Sequence, residues 1–338
     1  MTLPTRRLGL TEMDITRVGM GAWAIGGGGW SFGWGAQDDR ESITAIRRAV
    51  EAGVNWIDTA PAYGVGHSEE VVGQALQGMP AADRPFVFTK CGLIVDPERP
   101  FDDPRMVGDA ATLRRECEDS LRRLGVERLD LFQVHWPAAD GTSVEEYWQV
   151  LVDLKQEGKV RAVGLSNHDV TQLGDAERVG HVDSLQPPFS LISRGAAADL
   201  LPWCVEHSTG VIVYSPLQSG LLTGAFSVER ARTLDPEDWR SRDEEFTIHL
   251  GTNLALVEQI RQVADRHGTN PAVVSLAWVL SWPGVTGAIV GARRPEQVNG
   301  WLPAASLTLA DEDLDQIERA IRATGAGSGP TRPVGDGQ

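Results

Sequence analysis

The sequence has little cysteine and no long apolar run, and each absence excludes a class of protein. The cysteines Cys91, Cys117 and Cys204 are far apart and odd in number, so they indicate neither a disulfide framework nor a paired metal motif. No run of about 18 uninterrupted apolar residues occurs, which argues against a membrane-spanning helix. Residues 1–7 lack the apolar segment of a secretory signal. We therefore expect a cytoplasmic protein with no membrane partner.

Positive charge is also scarce in this chain. There are 31 basic and 47 acidic residues, which gives a formal net charge of −16 at pH 7. Such a charge repels nucleic acid and anionic lipid, so neither is an expected partner. The seven histidines show no paired metal spacing and none lies in an H-E-x-x-H motif, so no metal site is expected.

The 338 residues alternate between strand-like and helix-like segments. An N-terminal hairpin is predicted to turn at residues 8–10. The predicted strands are residues 17–21, 55–58, 86–90, 129–135, 160–165, 183–186, 210–214 and 286–290. The first predicted helix begins at Asp38 and Asp39. The further predicted helices are residues 68–77, 109–124, 143–157, 169–178 and 196–208. Residues 253–267 and 270–282 are predicted as extra helices after the seventh strand.

This alternation predicts an α/β protein with a parallel sheet, and its even repetition favours a closed (β/α)8 TIM barrel. We expect one domain over residues 1–338, in which the Gly- and Pro-rich residues 325–338 form a loose tail. Residues 19–24 match the degenerate dinucleotide pattern G-x-G-x-x-A. Because four glycines follow instead of a helix, a strand end and a tight turn are the favoured interpretation.

Four polar side chains lie close to the ends of three successive predicted strands. Asp58 ends the second strand and Tyr63 follows it, Lys90 ends the third, and His135 ends the fourth. In a parallel barrel, the carboxyl ends of the strands meet on one face, where such proteins do chemistry. Individually, Asp58 could cap a turn, Tyr63 could line a pocket wall, Lys90 could be solvated and His135 could be a core residue. Their joint placement favours a shared site.

Together, these four residue types suit the protonation of a carbonyl oxygen. A tyrosine hydroxyl has a pKa near 10 and is a poor acid unless its anion is stabilised, and a nearby ammonium lowers that pKa. A buried lysine needs a counter-charge, which an aspartate supplies. A neutral histidine can hydrogen-bond the carbonyl oxygen and orient it.

Several motifs in a fixed order show that the chain resembles the aldo-keto reductase family. They occupy residues 53–64, 68–69, 88–90, 130–137, 158–167, 214–217 and 220–224. The resemblance extends from Leu8 to about Ala323. It implies a (β/α)8 barrel in which Asp58, Tyr63, Lys90 and His135 are catalytic and Tyr63 is the acid/base.

Reduction of a carbonyl needs a hydride source, and the resemblance implies a nicotinamide cofactor. Its ring is expected against Tyr214, and its carboxamide near Ser166, Asn167 and Gln186. The backbone of residues 215–220 is expected to approach the pyrophosphate, since Gly220 lacks a Cβ. The full expected cofactor set is Gly21, Ala22, Trp23, Asp58, Ser166, Asn167, Gln186, Tyr214, Ser215, Pro216, Leu217, Ser219, Gly220, Leu222, Gly291, Ala292, Arg293 and Gln297.

The adenosine end is expected at residues 289–297. A Gly-Ala turn there runs into a helix with Pro295 in its first turn, so that backbone amides and arginine converge on an anion. This pattern favours the 2′-phosphate of NADP(H), with Arg293 as its contact and Gln297 near the adenine, and Arg294 as a surface residue. Many relatives carry an acidic residue or asparagine where this chain has Gly300 and Trp301.

Tryptophan is concentrated in the loops expected on the catalytic face. Trp23, Trp30 and Trp136 are predicted to contact the substrate, and Trp34 and Trp239 occur in the same set of loops. An aromatic pocket suits small apolar or sugar-like carbonyl compounds. Residues 237–242 are expected to form a cover over the site.

The sequence thus predicts an NADPH-dependent reductase of aldehydes or ketones. One alternative is oxidation of a sugar or polyol alcohol with NAD(P). Another is a redox-sensing regulatory subunit, similar to the β subunits of potassium channels, which share the fold and the four catalytic residue types. The natural substrate, the physiological direction and the oligomeric state are left open by the sequence.

Overall fold

The computed structural model describes residues 3–235 and 238–333. The chain begins with the predicted hairpin, whose strands β1 (Thr5–Arg7) and β2 (Asp14–Thr16) pair antiparallel. Arg6 donates a hydrogen bond to the carbonyl of Val285, where a barrel strand begins. The hairpin therefore lies at the amino-terminal end of the barrel.

Eight parallel strands form a closed barrel, as the alternating pattern predicts. In chain order the remaining strands are β3 (Val18–Gly21), β4 (Trp56–Asp58), β5 (Phe86–Cys91), β6 (Leu93–Ile94), β7 (Arg105–Met106), β8 (Leu129–Val134), β9 (Val160–Ser166), β10 (Ser184–Gln186), β11 (Gly210–Val213) and β12 (Val285–Gly291). Strands β6 and β7 form a separate antiparallel pair, and the other eight close the barrel where β12 pairs with β3. The carboxyl ends of the strands consequently form one rim.

Helices surround the barrel and follow its strands. They are α1 (Asp39–Glu51), α2 (His67–Leu76), α3 (Ala110–Leu124), α4 (Val144–Gln156), α5 (Val170–Glu177), α6 (Leu200–His207), α7 (Val228–Arg232), α8 (Leu250–Arg266), α9 (Pro271–Leu280), α10 (Pro295–Trp301) and α11 (Asp311–Thr324). Their starts follow local chemistry: the Asp38 carboxylate accepts a hydrogen bond from the Glu41 amide, and Ser143 and Glu146 form a capping box. In the described residues, no helix is long and apolar enough to cross a membrane.

The barrel interior is a small apolar core of its own. Trp56 is fully buried there and donates its indole N–H to the carbonyl of Thr16 at 2.8 Å. Gly19 makes room for this ring, because a Cβ at that position would lie 2.1 Å from it. A larger core fills the space between the strands and the helices. The interior is therefore packed, and the room for a ligand lies at the rim.

Several parts of the fold differ from the sequence prediction, among them the strand pair β6–β7 and helix α7, which were not predicted. The helix predicted over residues 196–208 is split, because the Asp199 side chain accepts from the Leu200 amide and caps a new helix there. The final helix α11 was not predicted. Residues 325–333 of the expected loose tail are packed: Arg194 donates to the carbonyls of Ala326 and Gly329. Residues 334–338 of that tail lie outside the described residues.

Candidate active site

The barrel rim brings together the four polar side chains singled out in the sequence. Asp58 is the last residue of β4, and Tyr63 lies in the turn that connects this strand to α2. Lys90 lies near the end of β5, and His135 directly follows β8. These strands are neighbours in the barrel, so their carboxyl ends converge.

The Lys90 ammonium is the centre of this cluster. It is fully buried, and its Nζ lies 2.6 Å from Asp58 Oδ1. It also donates to the carbonyl of Thr59 at 3.0 Å and to the Tyr63 hydroxyl at 3.2 Å. An ammonium has three donors, and all three are used. Gln186 donates to the second oxygen of Asp58 at 2.9 Å, which fixes the carboxylate from the other side.

Burial and charge set the ionisation of Lys90 and Asp58. Burial disfavours the ammonium and is the largest single effect, but the charges of Asp58 and Tyr63 and the hydrogen bonds to both together outweigh it, so the pKa of Lys90 is raised above its ordinary value. Burial raises the pKa of Asp58, and the charge and hydrogen bond of Lys90 oppose that rise. At their separation of 2.6 Å, each group stabilises the charged form of the other.

The pKa of Tyr63 is set by opposing effects of burial and charge. Burial raises the pKa of its phenol above the ordinary value, and the charge of Lys90 offsets only part of that rise. Lys90 does lower this pKa, as expected, but burial outweighs its effect, so the net shift is upward. The physical reason is that the loss of hydration of the phenolate exceeds its attraction to the ammonium. Tyr63 is consequently protonated at neutral pH.

His135 is neutral in this site. It is only 9% exposed, and burial lowers its pKa well below the ordinary value, with a further contribution from the charge of Lys90. Its ring lies 5.8 Å from the Tyr63 ring, centre to centre, at an angle of 77°. The phenol and the imidazole therefore face the same space at the rim.

Asn167 connects this cluster to the next part of the rim. Its side-chain amide donates to the carbonyl of His135 at 2.9 Å and to Ser166 Oγ at 3.1 Å. Its side-chain oxygen accepts from the Tyr214 hydroxyl at 2.8 Å. Asn167 itself has a left-handed backbone with φ of 63°. The turn after β9 thus positions both His135 and Tyr214.

One large cleft covers the rim and has a volume of about 1830 Å³. It is lined by three of the four polar residues, while Lys90 lies behind them. The expected cofactor and substrate residues that line it are Gly21, Ala22, Trp23, Trp30, Asp58, Trp136, Ser166, Asn167, Gln186, Tyr214, Ser215, Pro216, Leu217, Ser219, Gly220, Gly291, Ala292, Arg293 and Gln297. In the described residues, no group of three or more His, Cys, Asp or Glu side chains could hold a metal ion.

Leu222, one of the expected cofactor residues, does not line the cleft. Leu222 is fully buried in the hydrophobic core and is absent from the lining of the cleft. Its backbone N–H already donates to the carbonyl of Leu217 at 3.1 Å. The apolar side chain packs inward because the short helical turn at residues 218–223 presents its other face to the cleft.

The loop after β11 has an unusual backbone where it borders the cleft. Ser215, Gln218 and Ser219 have positive φ values of 52°, 44° and 51°, and Gly220 has φ of 95°. Backbone strain of this kind is concentrated at ligand clamps and active sites. A Cβ at Gly220 would meet no atom within 4 Å, so this glycine faces open space.

Arg293 lies at the far end of the cleft and is held by the loop before α1. Its guanidinium donates to Gln37 Oε1 and to the Ala36 carbonyl, both at 2.5 Å, and to the Trp34 carbonyl at 3.4 Å. Gln297 accepts hydrogen bonds from the backbone N–H groups of Arg293 and Arg294. Arg294 itself is exposed, as predicted for a surface arginine.

Residues 238–242 of the predicted cover lie against the cleft, whereas Glu237 lies outside the described residues. Trp239 stacks on Trp23 with ring centres 5.9 Å apart. Arg240 lies over the Trp34 ring, forms an ion pair with Asp238 at 2.6 Å and donates to the carbonyl of Ser219. Arg240 belongs to the predicted cover, whereas Gln37 was missed as a residue of this cleft, because its partner Arg293 is 256 positions away along the chain.

Aromatic side chains border the tetrad of Asp58, Tyr63, Lys90 and His135. Trp30 is 6% exposed, and its ring lies 6.3 Å from the Tyr63 ring. Trp136 follows His135 and is 37% exposed. Both line the cleft, and they give the space in front of the tetrad an apolar wall.

The fold is a parallel (β/α)8 barrel with a large cleft at the carboxyl ends of its strands, the face where such barrels do chemistry. Comparison with known proteins identifies the family. The model of the Aldo/keto reductase family matches residues 17–322. An NADH-specific methylglyoxal reductase from Escherichia coli (strain K12) is 34% identical over 333 residues, which cover 94% of this chain and 98% of that protein.

Solved structures give the same result. The glycerol dehydrogenase AKR11B4 from Gluconobacter oxydans is 35% identical with a TM-score of 0.86, covering 99% of this chain and 100% of that one. An aldo/keto reductase from Klebsiella pneumoniae, solved in complex with NADP and acetate, is 30% identical with a TM-score of 0.72, covering 98% and 99%. The chain belongs to the aldo/keto reductase family.

Proposed function

We propose that this protein is an NADPH-dependent reductase of small aldehydes or ketones. The observation that carries the proposal is the buried cluster in which Lys90 bonds both Asp58 and the Tyr63 hydroxyl, beside a neutral His135. A protonated phenol supported by an ammonium is suited to give its proton to an oxygen on which charge builds up.

The cleft fits a nicotinamide dinucleotide. Its volume of about 1830 Å³ exceeds the range of roughly 300–1,000 Å³ for small-molecule pockets, which leaves room for a cofactor and a substrate together. The strained turn at residues 215–220, with open space at Gly220, suits a pyrophosphate. Tyr214 and Gln186 would hold the nicotinamide end, and Arg293 and Gln297 the adenosine end.

In the proposed mechanism, the chain's residues deliver a proton while the bound cofactor supplies a hydride to the carbonyl carbon. Tyr63 donates its hydroxyl proton to the carbonyl oxygen. Lys90, held by Asp58, stabilises the phenolate that remains. His135 hydrogen-bonds the carbonyl oxygen and orients it toward Tyr63. The products are the alcohol and the oxidised cofactor.

The choice of NADP(H) over NAD(H) rests on Arg293. This guanidinium has five N–H groups, and its three bonds to the loop at residues 34–37 leave others for a 2′-phosphate. The Klebsiella pneumoniae structure contains NADP, which supports the choice. The Escherichia coli relative is NADH-specific, so the preference needs a direct test.

The test measures turnover on a panel of aldehydes and ketones by loss of NADPH or NADH absorbance, together with dissociation constants for both cofactors. Arg293→Ala is expected to weaken NADPH binding by about tenfold or more and to leave NADH binding nearly unchanged. Arg294→Ala is the comparison variant: this neighbouring side chain also lines the cleft, but it is exposed, so its removal should have a smaller effect. A wild type that prefers NADH would refute the cofactor assignment, and absence of turnover would refute the reductase.

Oxidation of a polyol is the second candidate. It is favoured by the similarity to a glycerol dehydrogenase at 35% identity over nearly the whole chain. The same four side chains serve this direction when Tyr63 is in its phenolate form, stabilised by Lys90, and accepts the proton from the alcohol. Measuring kcat/KM for glycerol with NADP and NAD, against the best carbonyl with the reduced cofactors, separates the two proposals.

A further inference from the structure

A second buried tyrosine–histidine pair lies behind the cleft. Tyr147 belongs to α4, and His168 lies in the turn between β9 and α5, and each is 1% exposed. The Tyr147 hydroxyl lies 2.6 Å from His168 Nε2, and His168 Nδ1 lies 2.8 Å from the carbonyl oxygen of Ser166. The cleft lining contains neither residue.

The direction of these two hydrogen bonds follows from chemistry. The Ser166 carbonyl can only accept, so His168 Nδ1 carries the proton and donates it. Nε2 of the neutral ring is then an acceptor, and the Tyr147 hydroxyl donates to it. Burial lowers the pKa of His168 to about 4, so the ring is neutral at physiological pH and both of its nitrogens are satisfied.

The bond from His168 to Ser166 spans a single residue, Asn167. That residue has a left-handed backbone, φ 63°, which asparagine tolerates better than most residues but which still has to be held in place. Asn167 in turn bonds the carbonyl of His135 and the hydroxyl of Tyr214. The buried pair is therefore linked to the active site through one strained residue.

We propose that Tyr147 and His168 are positioning residues that fix the turn at Asn167, and with it His135 and Tyr214. The inference rests on the proposed function, since Tyr214 is the expected support of the nicotinamide ring. The pair acts without touching substrate or cofactor. Its effect is transmitted through the backbone of Ser166 and the side chain of Asn167.

His168→Phe tests the proposal because it keeps a ring of similar size and removes both hydrogen bonds. We expect NADPH binding to weaken by about tenfold and kcat to fall by about tenfold, with KM for the carbonyl nearly unchanged. His168→Asn can still donate to the Ser166 carbonyl and should recover most of both losses. Tyr147→Phe keeps that bond too and should have the smaller effect.

A matched control separates positioning from loss of stability. Trp148 is also buried on α4 and donates to the Gly180 carbonyl at 2.8 Å, away from Asn167. Trp148→Phe should lower the melting temperature and leave cofactor binding unchanged. If His168→Phe behaves in the same way, with normal cofactor binding and kcat, the pair is only structural and the proposal fails.

A crystal structure of His168→Phe keeps this test independent of the proposed function. We expect the Asn167 turn to change, with loss of the bond from Tyr214 or of the bond to the His135 carbonyl. An unchanged turn would overturn the positioning role whatever the enzyme's activity. A wild type without turnover on any carbonyl would instead refute the reductase and leave the structural outcome to decide the positioning role.

Discussion

At the scale of single residues, the chemistry depends on which protons are present at neutral pH. Burial raises the pKa of Tyr63 and lowers that of His135, so the phenol is protonated and the imidazole is neutral. Both states are the ones that reduction requires, because the phenol must give a proton and the imidazole must not repel Lys90.

These pKa directions determine the expected pH dependence of reduction. Tyr63 loses its proton only above its ordinary pKa near 10, and His135 stays neutral above pH values well below 6.5. We therefore expect kcat for carbonyl reduction to be flat between about pH 6 and 9 and to fall at higher pH. A pH–rate profile with saturating cofactor checks this.

The outcome that would contradict it is an inflexion near neutral pH that disappears in His135→Gln. Such a result would mean that the imidazole titrates in the working range. Glu116→Gln is measured alongside, because Glu116 is a buried group whose pKa is raised to about 7. An inflexion that disappears in this variant belongs to Glu116 and not to His135.

The positions of some site residues could be predicted from the sequence, whereas pKa values and side-chain directions could not. The positions of Asp58, Lys90 and His135 were readable, because each lies at or directly after the end of an apolar strand. The pKa of Tyr63 was not, since it depends on how far burial outweighs one charge. Leu222 was misplaced because a motif does not show which face of a turn points to the cleft.

At the scale of elements, helix α3 packs the carboxyl group of Glu116 against the end of β5, the strand that carries Lys90. Glu116 of α3 is 7% exposed, and it accepts a hydrogen bond from the backbone N–H of Gly92, just after β5, at 2.8 Å. Burial raises its pKa to about 7, which the bond from Gly92 only partly offsets. The neighbouring charges are Glu69, which raises this pKa, and Arg123 and Arg115, which lower it.

This contact has a consequence for stability. The pKa of Glu116 in the folded protein exceeds its ordinary value of 4.5. The free energy of unfolding that protonated Glu116 contributes is therefore fully present below about pH 4.5 and is lost as the pH rises through about 7. Glu116→Gln keeps an acceptor for Gly92 and has no charge to bury. We expect the difference in the free energy of unfolding between Glu116→Gln and wild type to grow in favour of the variant from pH 5 to pH 8, by up to about 3 kcal/mol.

Denaturant unfolding at pH 5 and pH 8 measures this difference. Glu118→Gln is the control on the same helix, since Glu118 is half exposed and pairs with Lys159 at the surface. A free-energy difference between Glu116→Gln and wild type that does not change with pH would contradict the assignment.

The elements themselves were largely readable from periodicity. All eight barrel strands and the caps at Asp38 and Ser143 follow from local patterns. The break at Asp199 was missed because its cap interrupts an otherwise continuous helical pattern. The last helix, α11, carried a signal that went unused: three acidic residues in its first turn, with Leu314, Ile317 and Ile321 at helical spacing.

At the scale of the whole molecule, closure of the barrel joins residues that are far apart in the sequence. Strand β12 pairs with β3, and this brings Arg293 to Gln37, 256 positions away. Such contacts leave no local pattern, so the alternation of strands and helices predicted the barrel but not the side of the cleft formed by residues 34–37. We propose that the chain folds as one domain around this barrel.

The same closure assembles the reacting groups from separate strands, and one variant tests whether they act together. In Tyr63→Phe, only the hydroxyl that Lys90 contacts is removed. We expect kcat for carbonyl reduction to fall by about 10²–10⁴-fold, with the NADPH dissociation constant, measured by fluorescence titration, within about threefold of wild type. Turnover near the wild-type rate with intact cofactor binding would contradict the assignment of Tyr63 as the proton donor.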